Sequence, residues 1–416
     1  MISGNLFKVR QFARRLWVRA ALVSALAFIA PLAALPLASL LPDWVLAKIT
    51  EDTVRSLLDI LANSMLAVTT FSLTIMVTAH LAADQGASPR GHRLLREDGR
   101  TQTVLATFVG SFVFALVSIV LLQTGFATSN SFSGFYLMTL VVFAVVILTI
   151  LRWIGQLASL GSIEATIRSA EDQARRVLDS RNAKPFLGAH RFIPGTVPGD
   201  AHSLASTVGG YIRHIDTAQL SKCAQERQAR VFVAAMPGDF VSRGQTLAHI
   251  AMDTMTDKDE AAFAACFTIG HERDFDQDPI FALHVLTEIA DRALSPGIND
   301  PGTARDVTVR LALLLDGVET ETEPDTPEAP LIHVPPMDRM ALLHETFDPI
   351  ARDGRAFLDV HDALQRAFAT LSRHRDPEMA DAARAMSGRA LEYARQGLLI
   401  PKDMDRLHQA APIDPD

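Results

Sequence analysis

The chain has 416 residues, a formal net charge of −8 and two cysteines. Its mean hydropathy of +0.18 is high for a soluble protein and low for one built only of membrane helices. The mild charge, with no basic stripe, excludes a nucleic-acid partner. Cys223 and Cys266 are far apart in sequence and in no metal spacing, which excludes a disulfide framework and reads as reduced thiols.

The average hides two halves, and nearly all the long apolar runs precede Arg152. The first residues carry Lys8, Arg10, Arg14, Arg15 and Arg19 with no acid, followed by an apolar run from Ala20 to Leu41. That run exceeds the 7–15 residues or so of a signal-peptide core, so it predicts an uncleaved first helix. Pro31 and Pro36 each remove a backbone donor and should kink it.

The second run, LLDILANSMLAVTTFSLTIMVTAH, covers Leu57 to His80. It is long enough to cross a bilayer, which takes roughly 20 residues. Asp59, Asn63, Thr70, Thr74 and Thr78 fall within a sector of roughly 100° on this helix. In hydrocarbon such a stripe must face protein or water. The expectation is that Asn63, Thr70 and Thr74 face a central space shared between subunits, with Asp59 in the first turn at its outer mouth. The plainer alternative is that the threonines bond their own backbone one turn back.

A third helix is predicted over Val104 to Leu122 and a fourth over Phe132 to Leu151. Ala106 and Gly110, one turn apart, permit close helix approach. Arg90, Arg93, Arg96 and Arg100 lie between the second and third helices, and Arg152, Arg168, Arg175 and Arg176 follow the fourth. Basic loops stay in the cytoplasm, so four crossings with both termini inside satisfy every connection.

Leu160, Ile163, Ile167, Ala170, Ala174 and Val177 then form a heptad-like seam. It is either a stalk joining subunits or a helix lying on its own domain. Prolines and glycines between Lys184 and Pro198 mark a boundary. Beyond it, GGYIRHID (Gly209 to Asp216) reads as a strand, Thr217 to Ala229 as a helix capped by Asp216 or Thr217, and RVFVAA as a strand. A turn at Met236 to Asp239 leads into FVSRGQTLAHI, two extended pieces broken at Arg243-Gly244.

PGDFVSRGQTLAHI resembles the second half of a biotinyl/lipoyl-type hairpin, with GGYIRHID resembling the strand that opens that fold. The modifiable lysine is absent and a helix separates the halves, so the resemblance implies a small β-sandwich or barrel and not a swinging-arm carrier.

The run from His271 to Asp278 alternates aspartates in a calcium-like way. However, Pro279 and Val285 stand where a glycine and an acid are required. Asp278 is therefore expected to cap a helix starting at Pro279. The string DRALSPGINDPGTARD, Asp291 to Asp306, repeats that logic with Asp300 and Pro301. Arg292, Asn299, Asp300 and Arg305 make this corner a candidate subunit or ligand surface.

The four membrane helices, the SPR at Ser88 to Arg90, YIRHID, GDFVSRG and ALSPGINDP together resemble a bacterial family of predicted inner-membrane proteins of unknown function. The resemblance covers most of residues 1–320 and implies an inner-membrane location without transferring an activity.

The predicted fold class is an α-helical multipass membrane domain plus a cytosolic α+β region. Residues 1–152 form the four-helix domain and 153–185 a connecting amphipathic helix. Residues 186–270 form a small α/β module and 271–317 a helical segment containing the corner. Residues 318–337 read as an acidic, proline-rich linker and 338–412 as a C-terminal helical bundle. No P-loop, GxGxxG, HExxH, GxSxG or CxxC motif occurs. No enzyme activity, cofactor or metal is expected, although His202 with His214, or His249 with His271, could converge. The expected partners are the lipid bilayer and further copies of the chain. The expected function is an oligomeric channel-like protein with a cytosolic regulatory domain; the alternative is a membrane-anchored sensor or scaffold without transport.

Overall fold

The computed structural model describes residues 16–37, 49–86, 90, 99–124, 132–157 and 162–412. The chain divides into two compact units, one of helices within Lys8–Gly86 and His92–Thr166, the other essentially from Ile167 onward.

The helical unit contains α1 (Leu16–Leu37), α2 (Glu51–Gly86), α3 (Gly99–Gln123) and α4 (Phe132–Leu157). Among the described residues three segments are long and apolar enough to cross a membrane: Glu51–Ala79, Thr101–Gln123 and Phe132–Leu157. In α1 the apolar stretch found among the described residues is Ala21–Pro31. This helix is continuous through Pro31 and Pro36 to Leu37. Residues before Leu16, Ala38 to Leu41, Ser88, Arg93, Arg96 and Leu160 lie outside the described residues.

Helix α3 is the centre of this unit and touches α1, α2 and α4. The core joins Leu58, Leu61 and Met65 of α2, Phe108 and Phe114 of α3, and Phe135 and Trp153 of α4. Gly110 lets α1 approach: a Cβ there would stand 2.7 Å from Val23 Cγ1 and 3.5 Å from the Val23 carbonyl oxygen. Gly155 on α4 has nothing within 4 Å of the same position. Gly110→Leu is therefore expected to destabilise full-length protein in detergent by about 1–3 kcal/mol through overpacking. Gly155→Leu should leave the thermal midpoint near that of the parent.

The second unit is α+β. Helix α5 (Ile163–Ala183) leads into it. Its seam residues Ile167, Ala170, Ala174 and Val177 are buried within this one chain. Glu171 pairs with Arg310 at 2.7 Å, and Asn182 Nδ2 donates to the Gly317 carbonyl at 2.8 Å. These four seam residues are thus covered by their own unit, which is the second of the two readings, while Ile163 is exposed.

The strands are β1 (Ala189–Arg191), β2 (His202–Ala205), β3 (Gly210–Ile215), β4 (Arg230–Val233), β5 (Phe240–Val241), β6 (Thr246–Ala251), β7 (Phe267–Gly270) and β8 (Ala329–Val334). They form a five-stranded sheet in the order β1-β8-β4-β6-β2 and a three-stranded sheet in the order β5-β3-β7. Leu204, Val231, Ile250 and Ile332 of the first meet Ile212, Ile215 and Val241 of the second in one core. Helix α6 (Thr217–Glu226) closes it with Leu220. The Asp216 carboxylate caps that helix, accepting from the Gln219 N–H at 2.9 Å.

Gly238 and Gly244 both adopt positive φ, at 101° and 86°, as their turns require. The expected hairpin is corrected. Strand β5 pairs with β3, whereas β6 pairs with β2 and β4. The Gly244 turn therefore carries the chain from one sheet to the other.

The linker assignment for 318–337 is also corrected. Ala329–Val334 is strand β8, parallel to β1 on one side and β4 on the other. Ala329, Ile332 and Val334 are buried in the core, with a register shift against β1 after Ala189. The acidic residues before β8 are held to the chain around β1. Glu321 meets Arg181 at 2.6 Å with both side chains buried, Glu323 meets His190 at 2.6 Å, and Glu328 meets Lys184 at 2.7 Å.

Six further helices follow β7, with one more, α7 (Asp257–Ala264), before it: α8 (Pro279–Leu294), α9 (Pro301–Asp316), α10 (Arg339–Asp353), α11 (Leu358–Leu371), α12 (Pro377–Gly397) and α13 (Pro401–Ala410). Asp278 caps α8 through the Phe281 N–H and receives both Arg273 Nε and Nη2, so its carboxylate is spent on structure. Arg339 ties the bundle to the acidic segment, donating to Asp376 at 2.9 Å and to the Glu319 carbonyl at 2.8 Å.

Candidate functional site

The polar stripe of α2 is the first candidate. Val54, Leu58, Leu61, Ala62, Met65 and Met76 are buried, whereas Asp59, Asn63, Thr70, Thr74 and Thr78 are all exposed. At about 100° per residue the stripe is centred roughly 160° from the buried face. It points away from its own bundle. The helix begins at Glu51, not Leu57, so Asp59 lies in the third turn and not the first. Thr70, Thr74 and Thr78 each donate to the carbonyl one turn back, at 2.9, 3.0 and 3.0 Å. Asn63 has no such bond within the described chain. Its amide is the stripe's one large neutral polar group with no hydrogen bond among the described residues.

The SPGIND corner spends its turn chemistry internally. Ser295 Oγ donates to the Arg292 carbonyl at 2.6 Å, and the Asp300 N–H reaches the Ala293 carbonyl at 2.7 Å. Asn299 sits at φ 54°, a left-handed position that asparagine tolerates better than most residues. Asp300 accepts from both the N–H and the hydroxyl of Thr303, which holds its carboxyl below the usual range. Arg305 lines a groove of about 770 Å³ between α9, α11 and α13, with Arg366 and Arg406. Arg292, Asn299 and Asp300 are not among the residues of that groove. The turn chemistry of the corner holds its own fold, and of the four residues Arg305 lines this groove.

Three arrangements were not legible in the sequence. First, His190, His333, Phe232, His249 and Ser203 form one row across all five strands of the larger sheet. The His190 and His333 rings stack at 5.6 Å and those of His333 and Phe232 at 4.6 Å. His249 thus lies in a different sheet from the β7 strand that precedes His271, and His202 in a different sheet from His214. Among the described residues no cluster has the makings of a metal centre. Second, the two cysteines meet: both thiols reach toward the Ala262 carbonyl, Cys223 at 4.0 Å and Cys266 at 3.4 Å. Burial pushes the Cys266 thiol up, which holds it protonated. Third, Asp291, at the start of the corner string, is largely buried. Burial, reinforced by Asp353 and opposed by Arg352, pushes its carboxyl up to about 7.

A match to the family described as "Predicted membrane protein (DUF2254)" covers residues 13–370. The chain belongs to this family. Relatives are uncharacterised proteins of Mycobacterium bovis and Mycobacterium tuberculosis, each 30% identical over 137 residues. That stretch is 32% of this chain and 26% of theirs, so the match spans about a quarter of the relatives' length. No solved structure matches. The family places the chain among membrane proteins, in agreement with the apolar helices.

Asp291 gives a pH test. Its folded pKa lies above its unfolded value near 3.9, so the native state holds this proton more tightly. Its contribution to stability is therefore present at low pH and is lost as pH rises from about 4 through about 7. His361, buried neutral with its pKa pushed down to about 4, works in the opposite sense over a similar window. The difference between parent and Asp291→Asn isolates the first effect. The Asn variant should gain thermal midpoint relative to the parent as pH rises from 4 to 7, with no further gain above 7.

Proposed function

We propose that this protein is an oligomeric, channel-like protein of the bacterial inner membrane, with four crossings, both termini in the cytoplasm and its α+β unit regulatory. The single observation that supports this reading is the outward-facing stripe of α2, with Asn63 lacking a partner among the described residues. A polar amide facing lipid carries an uncompensated desolvation cost. The same face in other copies, or water held between them, removes it. Helix α2 has 36 residues, about 54 Å at 1.5 Å per residue, well beyond a hydrocarbon core of about 30 Å. It can therefore place Asn63, Thr70 and Thr74 at membrane depth while extending past both interfaces. The reading assigns no catalytic step and no cofactor.

The threonine-to-carbonyl bonds favour a second reading, a membrane-anchored sensor or scaffold whose stripe only packs helices. Those bonds make the threonines inexpensive in lipid. The two readings differ at Asn63.

Topology is tested by a periplasm-only reporter fused after residue 416. It should give no signal, and a strong signal would overturn the cytoplasmic C-terminus. The stripe is tested by cysteines at positions 63, 70 and 74 in protein lacking Cys223 and Cys266. A water-lined path predicts reaction with membrane-impermeant thiol reagents and loss of conductance in Asn63→Leu with assembly intact. A packing role predicts no labelling and an assembly weakened by about 0.6 kcal/mol, one average interhelical hydrogen bond.

A further inference from the structure

The groove lined by Arg305 has an apolar floor that its own chain leaves open. Val309 and Leu313, one turn apart on α9, are 51% and 60% exposed. The small side chains of Ala363 and Ala367 on α11 form the opposite wall. The same chain carries an uncovered apolar knob. Leu399 is 95% exposed and Ile400 58%, in the turn between α12 and α13. Exposed apolar side chains scattered singly are ordinary, but an open groove and an adjacent knob on one molecule are complementary. Arg406, on the helix that the knob introduces, already lines the groove, so both features belong to the same end of the bundle.

The charges around the two features also match. At the groove, Arg305 and Asp359 have no ion-pair partner among the described residues. Beside the knob, Lys402 and Asp405 are exposed and equally unpaired. Arg305 can receive Asp405 of another copy, and Asp359 can receive Lys402.

We propose that the α9–α11 groove is a docking surface for a second copy of this chain, whose Leu399–Ile400 turn fills it. With groove and knob at the same end, a two-fold pair exchanges knobs reciprocally and closes. The contact stands on the α+β unit alone and is independent of the α2 stripe.

The test uses two differently tagged full-length copies, co-expressed in membranes, both carrying Cys223→Ala and Cys266→Ala. One carries Leu399→Cys and the other Leu313→Cys, and a short thiol-to-thiol crosslinker is added. A product carrying both tags is expected in several-fold excess over a control in which Arg375→Cys, an exposed position outside the groove, replaces Leu313→Cys. No excess over that control overturns the proposal, as does a Leu399→Cys side chain that is shielded by lipid vesicles yet yields no doubly tagged product. In the same background Arg305→Asp alone and Asp405→Arg alone should each lower the yield several-fold. The two together in both copies should restore it. Unchanged yields for the single variants, or no recovery in the pair, count against the proposal.

Discussion

The buried Arg181–Glu321 pair is the constraint on which the α+β unit depends. The Glu321 carboxylate accepts Arg181 Nε at 2.6 Å through one oxygen and the Met337 N–H at 2.7 Å through the other. Removing either charge would leave the other buried alone, a change that typically costs about 3–5 kcal/mol. Burial lowers the Arg181 pKa while Glu321 raises it, the signature of a cation kept inside only by its partner. The pair fixes the chain between α9 and β8 against the end of α5. Arg339 fixes the same chain from the other side through the Glu319 carbonyl and Asp376. With both ends held, β8 enters the sheet between β1 and β4 in one register.

That arrangement explains why an acidic, proline-rich stretch is structured. Its glutamates are not a solvated run: three of them meet Arg181, His190 and Lys184. The exposed pairs at His190 and Lys184 contribute little individually. The buried one supplies the energetic commitment, and the exposed ones align the segment beside β1. Sheet and bundle are joined through this segment.

The helical unit follows a different logic. Its core is largely apolar, and a missing side chain at Gly110 lets α1 approach the central helix. Some polar groups bond their own helix, as at Thr70, Thr74 and Thr78; Gln156 Nε2 donates to Thr101 Oγ1 between α4 and α3; and Asn63 is left on the outer face. In water such a face would be unremarkable. In hydrocarbon no solvent is present to satisfy an amide on that face.

Local chemistry was legible in the sequence wherever the signal was short-ranged. The apolar runs placed α1 to α4, the Asp-Pro pairs at Asp278-Pro279 and Asp300-Pro301 placed the starts of α8 and α9, and Asp216 announced α6. Gly238 and Gly244 announced turns. Each of these depends on residues within one helical turn or one β-turn, and the chain alone settles them. What the sequence could not settle were pairings across long separations. Strand β8 looked like linker because its partners, β1 and β4, are remote in sequence. The α5 seam fits a stalk and a packed helix equally well until Arg310 is seen beside Glu171. Cys223 and Cys266 gave no sign of meeting, and the histidine row exists only through the register of five strands. The stripe on α2 is the instructive intermediate case. Periodicity determined that its five residues share one face; only tertiary packing decided which way that face points, because burial of Leu58, Leu61 and Met65 against α3 and α4 fixes the helix's rotation.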